Sequence, residues 1–267
     1  DPSRHIGVAS IPLLFDVQQA VEAVRWCAAN GLRAVMIPTL WGEHPPYHHT
    51  RYNPFWEVCE DLGVIVHFHS GPAPHPQYFG KEWPLQDSSE QLPGAMGVYV
   101  SEVMWWLYRP LTFMIWGGVF ERYPRLRVVI VEGGTMFMLP PWLRLLDHNY
   151  RDVQFSAKLG DFRAHLSMAP SDYYRRNIAV GASCVPRADL ELRAAIGPDQ
   201  IMWGSDYPHP EGTWPNTAEY FRTTFAGFPE ADGRKILGDN AVQFYGLDRD
   251  RLQQVADRIG PDASIFA

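Results

Sequence analysis

The segment Val66-His-Phe-His-Ser-Gly71 sets two imidazoles two residues apart in an apolar run. Side chains of an extended strand alternate between faces, so His67 and His69 point the same way, with roughly 6.5 Å of strand between them. His69 closes the run and stands at a rim. His67 lies one layer deeper, either as a pocket residue or as a hydrogen-bonded core histidine. Two carboxylates occupy comparable positions. Glu132 follows the apolar run 128–131 and precedes Gly133 and Gly134, which permit close approach of a ligand to the backbone. Asp206 follows the run 201–203 inside the turn-rich segment Gly204-Ser-Asp-Tyr-Pro-His209. Neutral imidazole and carboxylate oxygen together suit Zn²⁺ or a similar divalent ion. A carboxylate such as Asp206 can ligate the ion and take a proton from the water bound to it. Without a metal, Asp206 reads as an Asx-turn or helix cap and Glu132 as the partner of an arginine such as Arg144.

What must position these groups is a series of six short apolar runs, at 6–12, 34–38, 64–69, 128–131, 178–183 and 201–203. Segments of helical spacing separate several of them. A helix is predicted over 16–30, where Val17, Ala20, Val21, Val24 and Cys27 recur every three or four residues before Gly31. A second is predicted over 54–61, stopped by Gly63. Apolar strands alternating with helices argue for a parallel sheet buried on both faces, either a barrel or a doubly wound sheet. No Gly-x-Gly-x-x-Gly turn or P-loop follows any strand, which favours a barrel of the triosephosphate-isomerase type. In such barrels the chemistry sits at the strand C-terminal ends, here Thr39, His69, Glu132, Ser183 and Asp206.

The 267 residues read as one domain, with an insertion at about 70–120. A formal charge of −7 with no basic run argues against nucleic acid as a partner. Three scattered cysteines give no disulfide framework or metal knuckle, which fits a reducing cytoplasm. The most apolar stretch, 103–120, contains Arg109, Pro110 and the pair Gly117-Gly118, so it reads as a buried or interface helix pair rather than a membrane span. Trp105, Trp106 and Trp116 belong to that packing. The first residues lack a signal-peptide pattern. His44, His48 and His49 share one loop and read as solvated.

Taken together, several motifs resemble a known family in order along nearly the whole chain. They are Tyr52-Asn-Pro-Phe-Trp56, Glu60-Asp-Leu-Gly63, the His67-Phe-His69 segment, Phe120-Glu-Arg-Tyr-Pro-Arg-Leu-Arg-Val128 before Glu132, Gly204-Ser-Asp-Tyr-Pro-His209, and Lys235-Ile-Leu-Gly-Asp-Asn-Ala-Val242 with Tyr245-Gly-Leu-Asp248. The family is the amidohydrolase-related one, in the branch that includes aminocarboxymuconate-semialdehyde decarboxylase. The resemblance implies a distorted (β/α)₈ barrel with one divalent metal, Zn²⁺ or sometimes Mn²⁺. By position it makes His69 and Asp206 metal ligands, and Asp206 the proton-handling group. The decarboxylases of the family carry a histidine where this chain has Glu132. The family's first strand carries His-x-His or Glu-x-His, and nothing like it precedes Ile6. The six runs match the third to eighth strands, and the chain is expected to lack roughly the first two strand–helix units.

The leading expectation is a metal-dependent hydrolase acting on a small cyclic or carboxylated substrate, with Asp206 and Glu132 catalytic. A non-oxidative decarboxylase is the alternative, and a degenerate, non-catalytic barrel is a third reading. His67, His209 and Trp214 are the candidates for substrate contact, and a homodimer is the expected assembly.

Overall fold

The computed structural model describes residues 4–69, 94–132, 136–152 and 158–267. At its centre six strands lie in sequence order: β1 (Val8–Ser10), β2 (Ala34–Met36), β3 (Ile65–His69), β4 (Val128–Val131), β5 (Ile178–Ser183) and β6 (Ile201–Gly204). Every neighbouring pair is parallel. All six predicted runs are therefore strands. Among the described residues β1 and β6 each pair along one edge only, so the sheet is an open arc, a partial barrel.

Parallel neighbours need a crossover, and the local sequence supplies one after each early strand. Helix α1 (Val17–Ala29) starts where the Asp16 carboxylate accepts from the backbone N–H groups of Gln18 and Gln19, at 2.8 and 3.1 Å. Its buried stripe is the predicted Ala20, Val21, Val24 and Cys27. Helix α2 (Asn53–Leu62) carries Pro54 in its first turn and ends at Gly63, whose φ of 64° suits a residue without Cβ. It packs on α1 and buries Phe55 and Trp56 completely, each contributing roughly 1.5–3 kcal/mol.

Period-two alternation gives the sheet two different faces. Val66, Phe68, Val128, Ile130, Val180 and Ile201 join the main core under the helices. Ile65, Val129, Ala179 and Met202 face the other way and pack with Ala241, Phe244 and Tyr245 from the helix Asn240–Tyr245. Two buried amides tie this scaffold at the strand entries. Asn177 donates to the carbonyls of Pro124 and Leu126, before β4, at 3.0 and 2.7 Å. Asn240 donates to Pro198 and Ile201, at the start of β6, both at 2.7 Å.

The apolar stretch 103–120 folds as a helix Trp105–Trp116, with Pro110 inside, and a short helix Val119–Arg122 beyond Gly117 and Gly118. Leu107, Leu111, Met114 and Ile115 face the core, while Trp105 is exposed. No described helix is long and apolar enough to cross a membrane. The predicted loop over 70–93 and the glycines after Glu132 lie outside the described residues.

Candidate metal centre

The C-terminal ends of β3, β4 and β6 bring three of the predicted residues together. His69 ends β3, and its Nε2 lies 3.1 Å from Oε1 of Glu132, just beyond β4. Glu132 therefore has this imidazole as a partner. Asp206, two residues past β6, lies near enough to the Glu132 side chain for the two carboxyl groups to interact. Glu132 thus stands between His69 and Asp206. The Asp206 carboxyl is held above its ordinary value by burial first and the Glu132 charge second, with His209 pulling the other way.

The backbone at this rim is strained. Glu132, Cys184 and Asp206 adopt φ values of 55°, 47° and 61°, and they are the non-glycine residues with positive φ among those described. Each such residue costs of order 1–3 kcal/mol. They stand at the ends of three consecutive strands, β4, β5 and β6. Strain gathered at one place, where two carboxylates meet an imidazole, makes this rim the candidate functional site.

Below the rim, the inner face of the arc opens into a cavity of about 430 Å³. Val8, Met36, Val129 and Met202 make its apolar walls, with His67 and His69 on the same side. His67 has both ring nitrogens engaged. The Tyr245 hydroxyl donates to Nε2 at 2.7 Å, which leaves the proton on Nδ1, facing the carbonyls of Val35 and Ile65 at 3.3 Å. Burial lowers its pKa to about 4 against those bonds, and pushes the Tyr245 phenol up to about 12. The pair is neutral across the physiological range.

The remaining predicted residues sit further out. His209 is exposed, with Nδ1 3.3 Å from Oε1 of Glu211, and these two and Asp206 keep their donor atoms within 4.8 Å of one another. Trp214 is 65% exposed, meets Tyr207 edge-on and lines no part of the cavity. In the loop before α2, His49 Nδ1 accepts from the Arg51 N–H at 3.1 Å, His44 packs on Phe15 and His48 on Phe113. Cys184, Glu211 and Tyr245 also stand at these positions, and none of them is marked as a site residue by its sequence alone. Cys184 is one step past Ser183, the strand-end residue singled out, and Tyr245 stands one helical turn after Ala241 on the same face.

Residues 1–247 match the family described as Amidohydrolase. The chain belongs to the amidohydrolase family. It is 26% identical over 254 residues to the 2-amino-3-carboxymuconate-6-semialdehyde decarboxylase of Dictyostelium discoideum, a match covering 93% of this chain and 63% of that protein. Among solved structures it is similar to 5-carboxyvanillate decarboxylase from Sphingomonas paucimobilis, at 24% identity and a TM-score of 0.70, covering 93% of this chain and 68% of that one. It is also similar to a dihydroxybenzoic acid decarboxylase from Polaromonas with bound manganese, at 22% identity and a TM-score of 0.67, covering 93% and 71%. At these identities the two structures establish the fold. This amidohydrolase chain spans 63% of the length of its Dictyostelium relative.

Proposed function

We propose that this amidohydrolase is a metal-dependent carboxy-lyase, removing CO₂ without redox change from a small, flat, carboxylated substrate. The observation that carries the reading is the meeting of Glu132 with His69 at 3.1 Å, beside an Asp206 carboxyl near enough to feel the Glu132 charge. Decarboxylation replaces a C–CO₂⁻ bond with a C–H bond, so the site must hold a proton that it can deliver to carbon. A carboxyl whose pKa is raised by burial and by a neighbouring carboxylate, as at Asp206, suits that task. The Dictyostelium relative, named as a decarboxylase, supports the same chemistry.

The donor set fits a divalent metal. His69 offers an imidazole nitrogen and is 35% exposed at the side chain, and the two adjacent carboxyl groups repel each other unless a proton or a cation lies near them. His69 and Asp206 would hold the ion, with Glu132 beside them. The bound ion supplies positive charge that orients and polarises a substrate carboxylate and its neighbouring oxygen. Zn²⁺ suits the imidazole and carboxylate donors, and Mn²⁺ is the ion named with the Polaromonas structure.

Within that frame Asp206 donates its proton to the carbon that loses CO₂, and solvent returns a proton to Asp206 afterwards. Glu132 stands against the Asp206 carboxyl, and the positive charge of a bound ion would offset the repulsion its carboxylate would exert on an acidic substrate. The apolar walls from β1, β2, β4 and β6 accommodate a ring. Hydrolysis is the second reading, favoured by Glu132 standing where the family's decarboxylases carry histidine. It would require Asp206 as a base rather than an acid.

The test is turnover in D₂O with 2-amino-3-carboxymuconate-6-semialdehyde and a panel of hydroxybenzoic acids, beside a panel of lactones and amides. The lyase reading expects CO₂ release with one deuterium at the vacated carbon, lost in Asp206→Asn. Hydrolysis of a lactone or amide without CO₂ release from any acid would overturn it.

A further inference from the structure

Of the three strained residues at the rim, Glu132 and Asp206 have a place in the chemistry above and Cys184 does not. Its thiol is nevertheless aimed at the segment that carries Asp206. Sγ lies 3.6 Å from the carbonyl oxygens of both Ser205 and Glu211, and the Cys184 N–H donates to Gly204 at 3.1 Å. One half-buried side chain therefore touches both ends of the 205–211 loop.

That loop is closed on itself. Thr213 N–H donates to Ser205 at 2.9 Å, His209 N–H to Asp206 at 2.8 Å and Gly212 N–H to His209 at 3.0 Å. A Cβ on Gly212 would meet the carbonyl oxygens of His209, Ser205 and Asp206 at 2.9, 2.9 and 3.0 Å, so the ring has no room for a side chain there. The loop is cross-tied by its own backbone, and Cys184 braces it against β5.

We infer that Cys184 is a positioning residue, whose thiol fixes the 205–213 loop so that the Asp206 carboxyl stays against Glu132 and in reach of the metal. This rests on the metal-centre reading above. Strained backbone at non-glycine residues persists only where the surrounding structure holds it, and such residues cluster at active sites and ligand clamps. Groups that hold a metal ligand in place typically set metal affinity by about 10–100-fold.

The test separates thiol from backbone. Cys184→Ala removes the thiol and keeps the strained φ; Cys184→Gly removes the thiol and relieves the strain. Zn²⁺ and Mn²⁺ affinities are measured by competition with a chromophoric chelator, beside the thermal unfolding of the metal-free chain, for the parent, both variants, Gly212→Ala and Asp206→Asn. The inference expects both Cys184 variants and Gly212→Ala to bind about tenfold more weakly or worse, while Cys184→Gly unfolds no earlier than the parent. Parental affinity in both Cys184 variants, with Asp206→Asn metal-free, overturns the inference and leaves the metal centre standing. Weakened binding in Cys184→Ala alone assigns the effect to backbone strain and also overturns it. A parent that takes up neither ion overturns both readings.

Discussion

His67 and His69 leave the same strand on the same face, two residues apart, and the molecule treats them in opposite ways. At the floor, His67 is 3% exposed, stacked on Tyr245, with a partner on each nitrogen. At the rim, His69 is half-exposed and meets a carboxylate whose charge also bears on a second one, Asp206. The floor is built from satisfied hydrogen bonds and ordinary backbone, the rim from strained backbone and crowded charge. Residue type is therefore a poor guide to role in this arc. What distinguishes a structural histidine from a chemical one is whether its neighbours leave anything for a ligand to complete.

This contrast can be broken at either level. The largest effect is expected at the rim, where Asp206→Asn should lower turnover by about 10²–10⁴-fold, the usual worth of a positioned general acid, with unchanged far-UV circular dichroism. A fall in stability of equal standing would move Asp206 to the floor's category.

A smaller effect belongs to the floor. With a folded pKa of about 4 against an ordinary 6.5, His67 binds fewer protons folded than unfolded between those values. Its contribution is therefore intact above about pH 6.5 and is lost as pH falls towards 4, up to about 3 kcal/mol in all. Urea unfolding at a series of pH values should show this slope in the parent and a flatter one in His67→Phe. Next comes Asn240→Leu, which strips the Pro198 and Ile201 carbonyls of their buried donor and should cost about 1–3 kcal/mol without touching metal affinity. The smallest is Trp214→Ala. Exposed and off the cavity wall, it should change stability by no more than about 0.5 kcal/mol.

The strands were legible because each buried run is apolar and bounded by residues that end structure, such as Gly31 and Gly63. The strand-end rule then found His69, Glu132 and Asp206, since alternation and the barrel's polarity need only local pattern. Local pattern could not show that Glu132 would meet His69 rather than an arginine such as Arg144, because that choice is made by the register of β3 against β4. Tyr245 closes on His67 across 178 residues of sequence, a pairing no window contains. Cys184 was hidden for another reason. Its signal is a backbone angle, and a non-glycine residue carries no mark of positive φ in its name.

The most direct test of the division between rim and floor is metal content by plasma mass spectrometry on the folded chain, beside His69→Ala and His67→Phe. The account predicts near one equivalent of Zn²⁺ or Mn²⁺ in the parent and in His67→Phe, and a metal-free His69→Ala that still folds. Metal retained by His69→Ala and lost from His67→Phe would contradict it.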